Sequence, residues 1–234
     1  MLYSYKYPGQ CHLVTLAILT IVFGLGTASF SSANDKTIET NQRACRFITD
    51  KLQKSYESFK DISATFVQQT IIPGDPEPVR ASGRVFFKRP YLMRWDYETP
   101  ERQLIVTSGS KVYVYEIEAK QVNVLSRKQF LSTKVSRAFF FGKGDIQRDF
   151  KVIGCTLTED GWILELQPRE PIPQLKTLRL TIDKDRFLVK KTEIEDQMGS
   201  KTVIAFNDIR INANLSKKLF SFSIPKGVEV FNAN

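Results

Sequence analysis

The sequence predicts a mainly β domain: an antiparallel sheet curled into a half barrel, with two helical segments able to cover it. Three observations carry that prediction. Short runs of β-branched and aromatic residues succeed one another from Ile62 to Ile211. Breaks rich in glycine, proline and small polar residues separate them, as between antiparallel strands, because proline cannot donate to a ladder and glycine accepts positive φ. Only two stretches, at about 35–59 and 127–142, replace alternation with helical spacing.

Of the 234 residues, 42% are hydrophobic and 25% charged, which suits one sizeable domain, or at most two small ones, rather than a disordered chain. Residues 1–33 read as a secretory leader, leaving 34–234 as a single domain. Lys6 gives the positive start, Leu13 to Leu25 the apolar core, and Ser31-Ser32-Ala33 the small residues of a cleavage site. An uncleaved anchor is the alternative, although Gly24 and Gly26 interrupt the apolar span. No cysteine follows the apolar core where a lipid-modification signal needs one, so a soluble mature protein is expected.

Asp35 to Phe59 is expected to be a helix, capped by Asp35, with Ile38, Cys45, Ile48, Leu52, Tyr56 and Phe59 on one face. Ile62 to Ile71 is a strand, and the proline cluster from Pro73 to Pro78 a loop. From Gly83 to Tyr115 come three or four strands, broken at Arg89-Pro90, Thr99-Pro100 and Ser108-Gly109-Ser110. Alternation puts Met93, Trp95 and Tyr97 on one face and Leu92, Arg94 and Asp96 on the other. Tyr113 and Tyr115 oppose Val112 and Val114, so that run is apolar on both faces. Gln121 to Ser126 adds a strand. Phe130, Leu131, Val135, Ala138 and Phe139 then share a helical face that Gly142 and Gly144 end. Lys151–Thr158, Trp162–Gln167, the run around Leu178, Leu180 and Ile182, Phe187–Asp196 and Lys201–Ile211 complete the strands.

Catalysis is not expected. The one histidine, His12, lies in the leader, which removes histidine-based nucleophile arrangements and histidine-containing zinc sites from the mature chain. No phosphate-cradling glycine loop occurs, and no cofactor or metal is implied. Formal charge is +9, which favours anionic partners. Arg and Lys never run longer than a pair, and no nucleic-acid signature is present, so no nucleic acid is expected. Cys45 and Cys155 could pair in an oxidising compartment. A cysteine on an apolar helix face is more often a buried thiol, so the pairing stays open.

The stretch GRVFFKRPYLMRWDYETPERQLIVTSGSKVYVY resembles the periplasmic outer-membrane lipoprotein carriers. Their pattern of G-x-F-x-x-K-R-P, R-W-x-Y-x-x-P and a turn into V-W-x-Y is met by Gly83, Lys88, Arg89, Pro90, Arg94, Trp95, Tyr97, Pro100, Gly109, Val112, Tyr113 and Tyr115. The chain departs at Ser108-Gly109-Ser110, where the family shows Asp-Gly-Lys, and the likeness extends more loosely over the mature chain, including the tail from Leu219 to Val230. On composition alone the aromatic residues would form a filled core. The resemblance implies instead an incomplete barrel with a helical lid, at about 35–59 and 127–142, over a cavity for acyl chains. Phe87, Met93, Trp95, Tyr97, Tyr113, Tyr115, Leu131, Val135 and Phe139 are then its expected lining. It implies Arg89 as a latch, whose guanidinium has five donors and can tie several lid carbonyls at once. It further implies a monomeric periplasmic shuttle. Acylated lipoproteins would be its cargo, and an inner-membrane lipoprotein-releasing ABC transporter and an outer-membrane receptor its partners. A lipid- or protein-binding sensor or structural module of the same shape, ferrying nothing, is the alternative.

Overall fold

The computed structural model describes residues 32–130, 146–171 and 174–232, the side chains of 32–40 and Gln129 apart. A long helix, α1 (Ser32–Ser58), opens the fold. Strands β1 (Asp61–Ile71), β2 (Val79–Lys88), β3 (Leu92–Thr99), β4 (Gln103–Ser108), β5 (Lys111–Glu116) and β6 (Gln121–Ser126) follow as hairpins. Among the described residues two short helices come next, α2 (Arg127–Phe130) and α3 (Ile146–Asp149). Then come β7 (Phe150–Thr158), β8 (Gly161–Pro168), β9 (Thr177–Ile182), β10 (Val189–Glu195) and β11 (Lys201–Ile211). A 3-10 turn (Lys217–Phe220) leads to β12 (Glu229–Asn232).

All twelve strands form one open sheet in the order β12-β6-β5-β4-β3-β2-β1-β11-β10-β9-β8-β7. The pairings are antiparallel except that β12 runs parallel to β6. Two meanders are thus joined along one seam, where β1 meets β11 through pairs such as Phe66 with Phe206. Adjacent strands lie about 4.8 Å apart, so Trp95 on β3 and Leu178 on β9 would be roughly 24 Å apart across a flat sheet. Both border a single recess, so the sheet curls. Register shifts in β1, β2, β7 and β10 supply bends. At Gly83 a side chain would put Cβ 2.0 Å from the Asp96 carbonyl oxygen, so only glycine allows β2 and β3 to close there.

The inner face is covered differently in its two halves. Over β7 to β10, α1 lays down Ile48 and Leu52, spaced by one turn, against Leu164, Leu166, Leu178 and Leu180. Cys45 on that helix is bonded to Cys155 on β7, with Cα atoms 5.3 Å apart. The pairing that the sequence left open is therefore made. Over β1 to β4 lies an aromatic cluster of Phe66, Trp95 and Tyr97.

The outer face is wet over β8 to β10, where Arg179 bridges Glu165 and Glu193. Over β3 to β6 it is covered by the C-terminal tail. Phe220 is buried there, and Phe222 packs on Tyr113 and Tyr115 with ring centroids 5.1 and 5.8 Å away. Arg94 Nη1 donates to the Leu219 carbonyl at 3.0 Å, and the buried Asp61 carboxylate accepts from Leu215 N–H at 3.1 Å.

Boundaries moved modestly from the sequence expectation. Asp35, expected as the cap of α1, lies inside the helix, which begins at Ser32. Phe187, expected in a strand, sits at φ 52 in the turn before β10. Thr181, which alternates with the inward Leu180 and Ile182 on β9, is also buried. The expected second lid helix is seen only as α2, because 131–145 lie outside the described residues.

Candidate functional site

The inner-face aromatic cluster does not fill the space under the end of α1. A recess of about 1000 Å³, its open mouth included, remains between them. Trp95 and Phe87 form its floor on one side, Ile194, Ile204 and Phe206 on the other, and Tyr56 and Phe59 its roof. Strand alternation explains the apolar floor: Ala64, Val85 and Trp95 are successive cross-strand neighbours, as are Ile62, Phe87 and Met93, and all point inward. Trp95 is buried among rings, 4.8 Å from Phe66 and 6.1 Å from Phe87 between centroids, yet one side of it faces the recess. Filled core and cavity wall, opposed in the sequence reading, coincide in this residue.

The polar groups of the site gather at one edge, where Lys60, Lys88 and Arg89 border the recess. Lys88 Nζ lies 3.1 Å from the buried Asp61 carboxylate. Arg89 reaches the end of α1: Nε donates to the Phe59 carbonyl at 2.9 Å, and Nη2 donates to the Tyr56 carbonyl. Its own backbone N–H donates to the Lys60 carbonyl at 2.9 Å. The last carbonyls of a helix have no partner within the helix and carry its negative dipole end, so one guanidinium satisfies two of the chain's needs there. Burial pushes the Tyr56 phenol up to about 12, with the Val189 backbone pulling weakly the other way. Burial also raises Tyr97, whose hydroxyl donates to Gln68 Oε1 at 3.2 Å.

The expected site residues separate into three groups. Phe87, Trp95 and Arg89 border the recess. Met93 and Tyr97 belong to the same inward cluster but lie behind its wall, Met93 almost wholly buried. Tyr113 and Tyr115 are on the opposite face of the sheet, under Phe222, so their expected place in the lining is corrected. With both sides of β5 apolar, alternation fixes that the tyrosines oppose Val112 and Val114 but not which pair faces inward. Leu131, Val135 and Phe139 lie outside the described residues. The sequence reading missed the roof residues Tyr56 and Phe59, although both stood on the helical stripe. It also missed Ile194, Ile204 and Phe206, which reach the site only through the β1–β11 seam.

Chemically this is a place to hold apolar material. Among the described residues, no three His, Cys, Asp or Glu side chains come together to hold a metal ion. Among them, too, no helix is long and apolar enough to cross a membrane.

Comparison with known proteins agrees with the geometry. The sequence profile of the family described as outer membrane lipoprotein carrier protein LolA matches residues 57–223. An outer-membrane lipoprotein carrier protein of Chromohalobacter salexigens is 30% identical over 184 residues, spanning 77% of this chain and 85% of that protein. One of Nitrosomonas europaea is 31% identical over 181 residues, spanning 76% of this chain and 87% of its own. Among solved structures, an uncharacterised conserved protein of Thermus thermophilus shares the fold with a TM-score of 0.52 at 15% identity, covering 81% of this chain and 99% of that one.

Proposed function

The chain belongs to the outer membrane lipoprotein carrier family, and on that premise we propose that it is a periplasmic shuttle for acylated lipoproteins. It receives them from an inner-membrane lipoprotein-releasing ABC transporter and surrenders them to an outer-membrane receptor. Residues 1–33 direct export and are removed, and no step of the cycle is enzymatic. Each methylene taken out of water stabilises by about 0.8 kcal/mol, so a lipoprotein with long acyl chains needs an apolar host to cross an aqueous compartment.

One observation carries the reading: Arg89 ties the end of α1 down beside an apolar recess. In this reading the roof is a lid and Arg89 its latch. The disulfide at Cys45 and the buried pair Ile48 and Leu52 hold the body of α1 on the sheet. Opening is then confined to the last turn around Tyr56 and Phe59. Cargo enters by displacing that turn, and the free energy spent breaking the latch keeps affinity low enough for release.

The test is purification from the periplasm without detergent, followed by mass spectrometry of the intact protein and its bound material. The mature chain should begin near Asn34 and carry acylated protein. Free lipid alone would favour a lipid-binding module that ferries nothing. An intact leader in washed membranes would overturn the soluble shuttle.

A further inference from the structure

We propose that the free edge of β7 is a docking groove for an extended acidic segment of a partner protein. β7 ends the order of the sheet, and among the described residues no strand pairs with its outer edge. Alongside it runs α1, and the two enclose a groove of about 1300 Å³, its open mouth included. Asn41, Gln42 and Arg46 line the helix side, Lys151 the strand side, and Gln147 and Arg169 one end. The Cys45–Cys155 disulfide crosses the floor and fixes how far apart the walls stand.

Two features match one occupant. The unpaired backbone of an edge strand accepts another strand, which gives affinity, and the side chains above it select which strand. Among the described residues the selecting charges have one sign, from Arg46, Lys151 and Arg169, and no described carboxylate lines the groove. Nearby described acids each have a partner: Asp149 has Arg148 at 2.9 Å, Glu165, beside Gly154, has Arg179 at 2.6 Å, and Asp50 accepts from the Gln147 amide at the groove's end at 2.6 Å. Ile153, which lines the groove, and Leu157, further along the strand, stand exposed and offer apolar contacts. A lysine and a bulge at Val152–Gly154 would serve simply to guard an edge. Guarding does not call for Arg46 and Arg169, which come from other elements to flank the strand. A second copy of this chain is disfavoured, since two such edges would bring like charges together.

The groove lies near Asn41 to Thr49 and the recess near Tyr56 to Phe59, roughly 15 Å apart along α1, so both can be occupied together. The experiment is fluorescence anisotropy with the disulfide-intact mature protein and a labelled peptide of sequence Thr-Val-Glu-Val-Thr-Val-Glu. Binding should saturate and weaken as salt is raised. The double variant Arg46→Glu, Lys151→Glu should lose roughly tenfold or more. Lys151→Gln, at an exposed position that leaves the fold intact, should lose about threefold. An apolar probe of the recess should bind both variants as it binds the parent, so the shuttle reading and this one fail separately. Absence of saturable binding, equal binding of the peptide with lysine in place of glutamate, or unchanged binding by the double variant would each overturn the proposal. A dimer through β7 without peptide would do the same.

Discussion

Replacing Arg89 with leucine removes the two side-chain hydrogen bonds to the Tyr56 and Phe59 carbonyls and keeps the bond from its backbone N–H to Lys60. Leucine also keeps the bulk of the stem, so the packing change is small. A bond from a charged donor contributes about 1.5–3 kcal/mol, and a cation at a helix C-terminus about 0.3–1 kcal/mol more. Both carbonyls regain water when the turn lifts, which returns part of that sum. A net shift of about 2 kcal/mol toward the open roof remains, roughly thirtyfold in the equilibrium constant. Because the disulfide and Ile48 still hold α1, the shift acts on the last turn rather than on the whole fold. An apolar fluorescent probe should therefore bind Arg89→Leu more tightly, by up to that factor, while the midpoint of unfolding moves little. Loaded Arg89→Leu should transfer labelled lipoprotein to outer-membrane vesicles more slowly than the parent. Arg89→Lys should be nearly as defective, since one ammonium cannot reproduce the planar fork. Probe affinity and transfer both unchanged in Arg89→Leu would show that the bonds to α1 do not gate the recess, and the latch would fall.

Removing the disulfide with the pair Cys45→Ser, Cys155→Ser opens a loop of 110 residues in the unfolded chain. On a chain-entropy view this costs about 4–5 kcal/mol in urea unfolding, and a loss under ~1 kcal/mol would show that the core alone holds α1. Tyr56 has a folded pKa raised from 10.0 to about 12, so its stabilising contribution is whole below pH 10 and fades as pH climbs toward 12. Since the ring is partly open to the recess, the loss should be about 2 kcal/mol or less, and Tyr56→Phe should flatten that part of the stability profile; an identical profile in the variant would refute the assignment. Gly83→Ala meets the Asp96 carbonyl at 2.0 Å, so β2 and β3 must separate there. A loss of roughly 2–4 kcal/mol in thermal unfolding is expected, and a neutral result would mean the strands adjust freely.

What the sequence determined by itself was most of what is set by neighbours along the chain. Period-two runs bounded by turn residues located β1 to β6 and β7 to β11 within a few residues, and the open mainly antiparallel sheet followed from them. The same alternation placed Met93, Trp95 and Tyr97 together, whereas attention to Arg89 came only from the family resemblance of the K-R-P segment. The tertiary structure decided what depends on surfaces that only the folded chain brings together. Pairing of β1 with β11 joins residues 130 or more positions apart, and no local pattern names the partner. That seam gives the recess its second wall, Ile204 and Phe206. Parallel addition of β12 to β6 was equally illegible, because Glu229 to Asn232 is short and exposed throughout. Alternation also sorts side chains into two faces without saying which is inside. Where one face is polar the hydrophobic effect settles the matter; at β5 both faces are apolar, and the tail carrying Phe220 and Phe222 sent Tyr113 and Tyr115 outward.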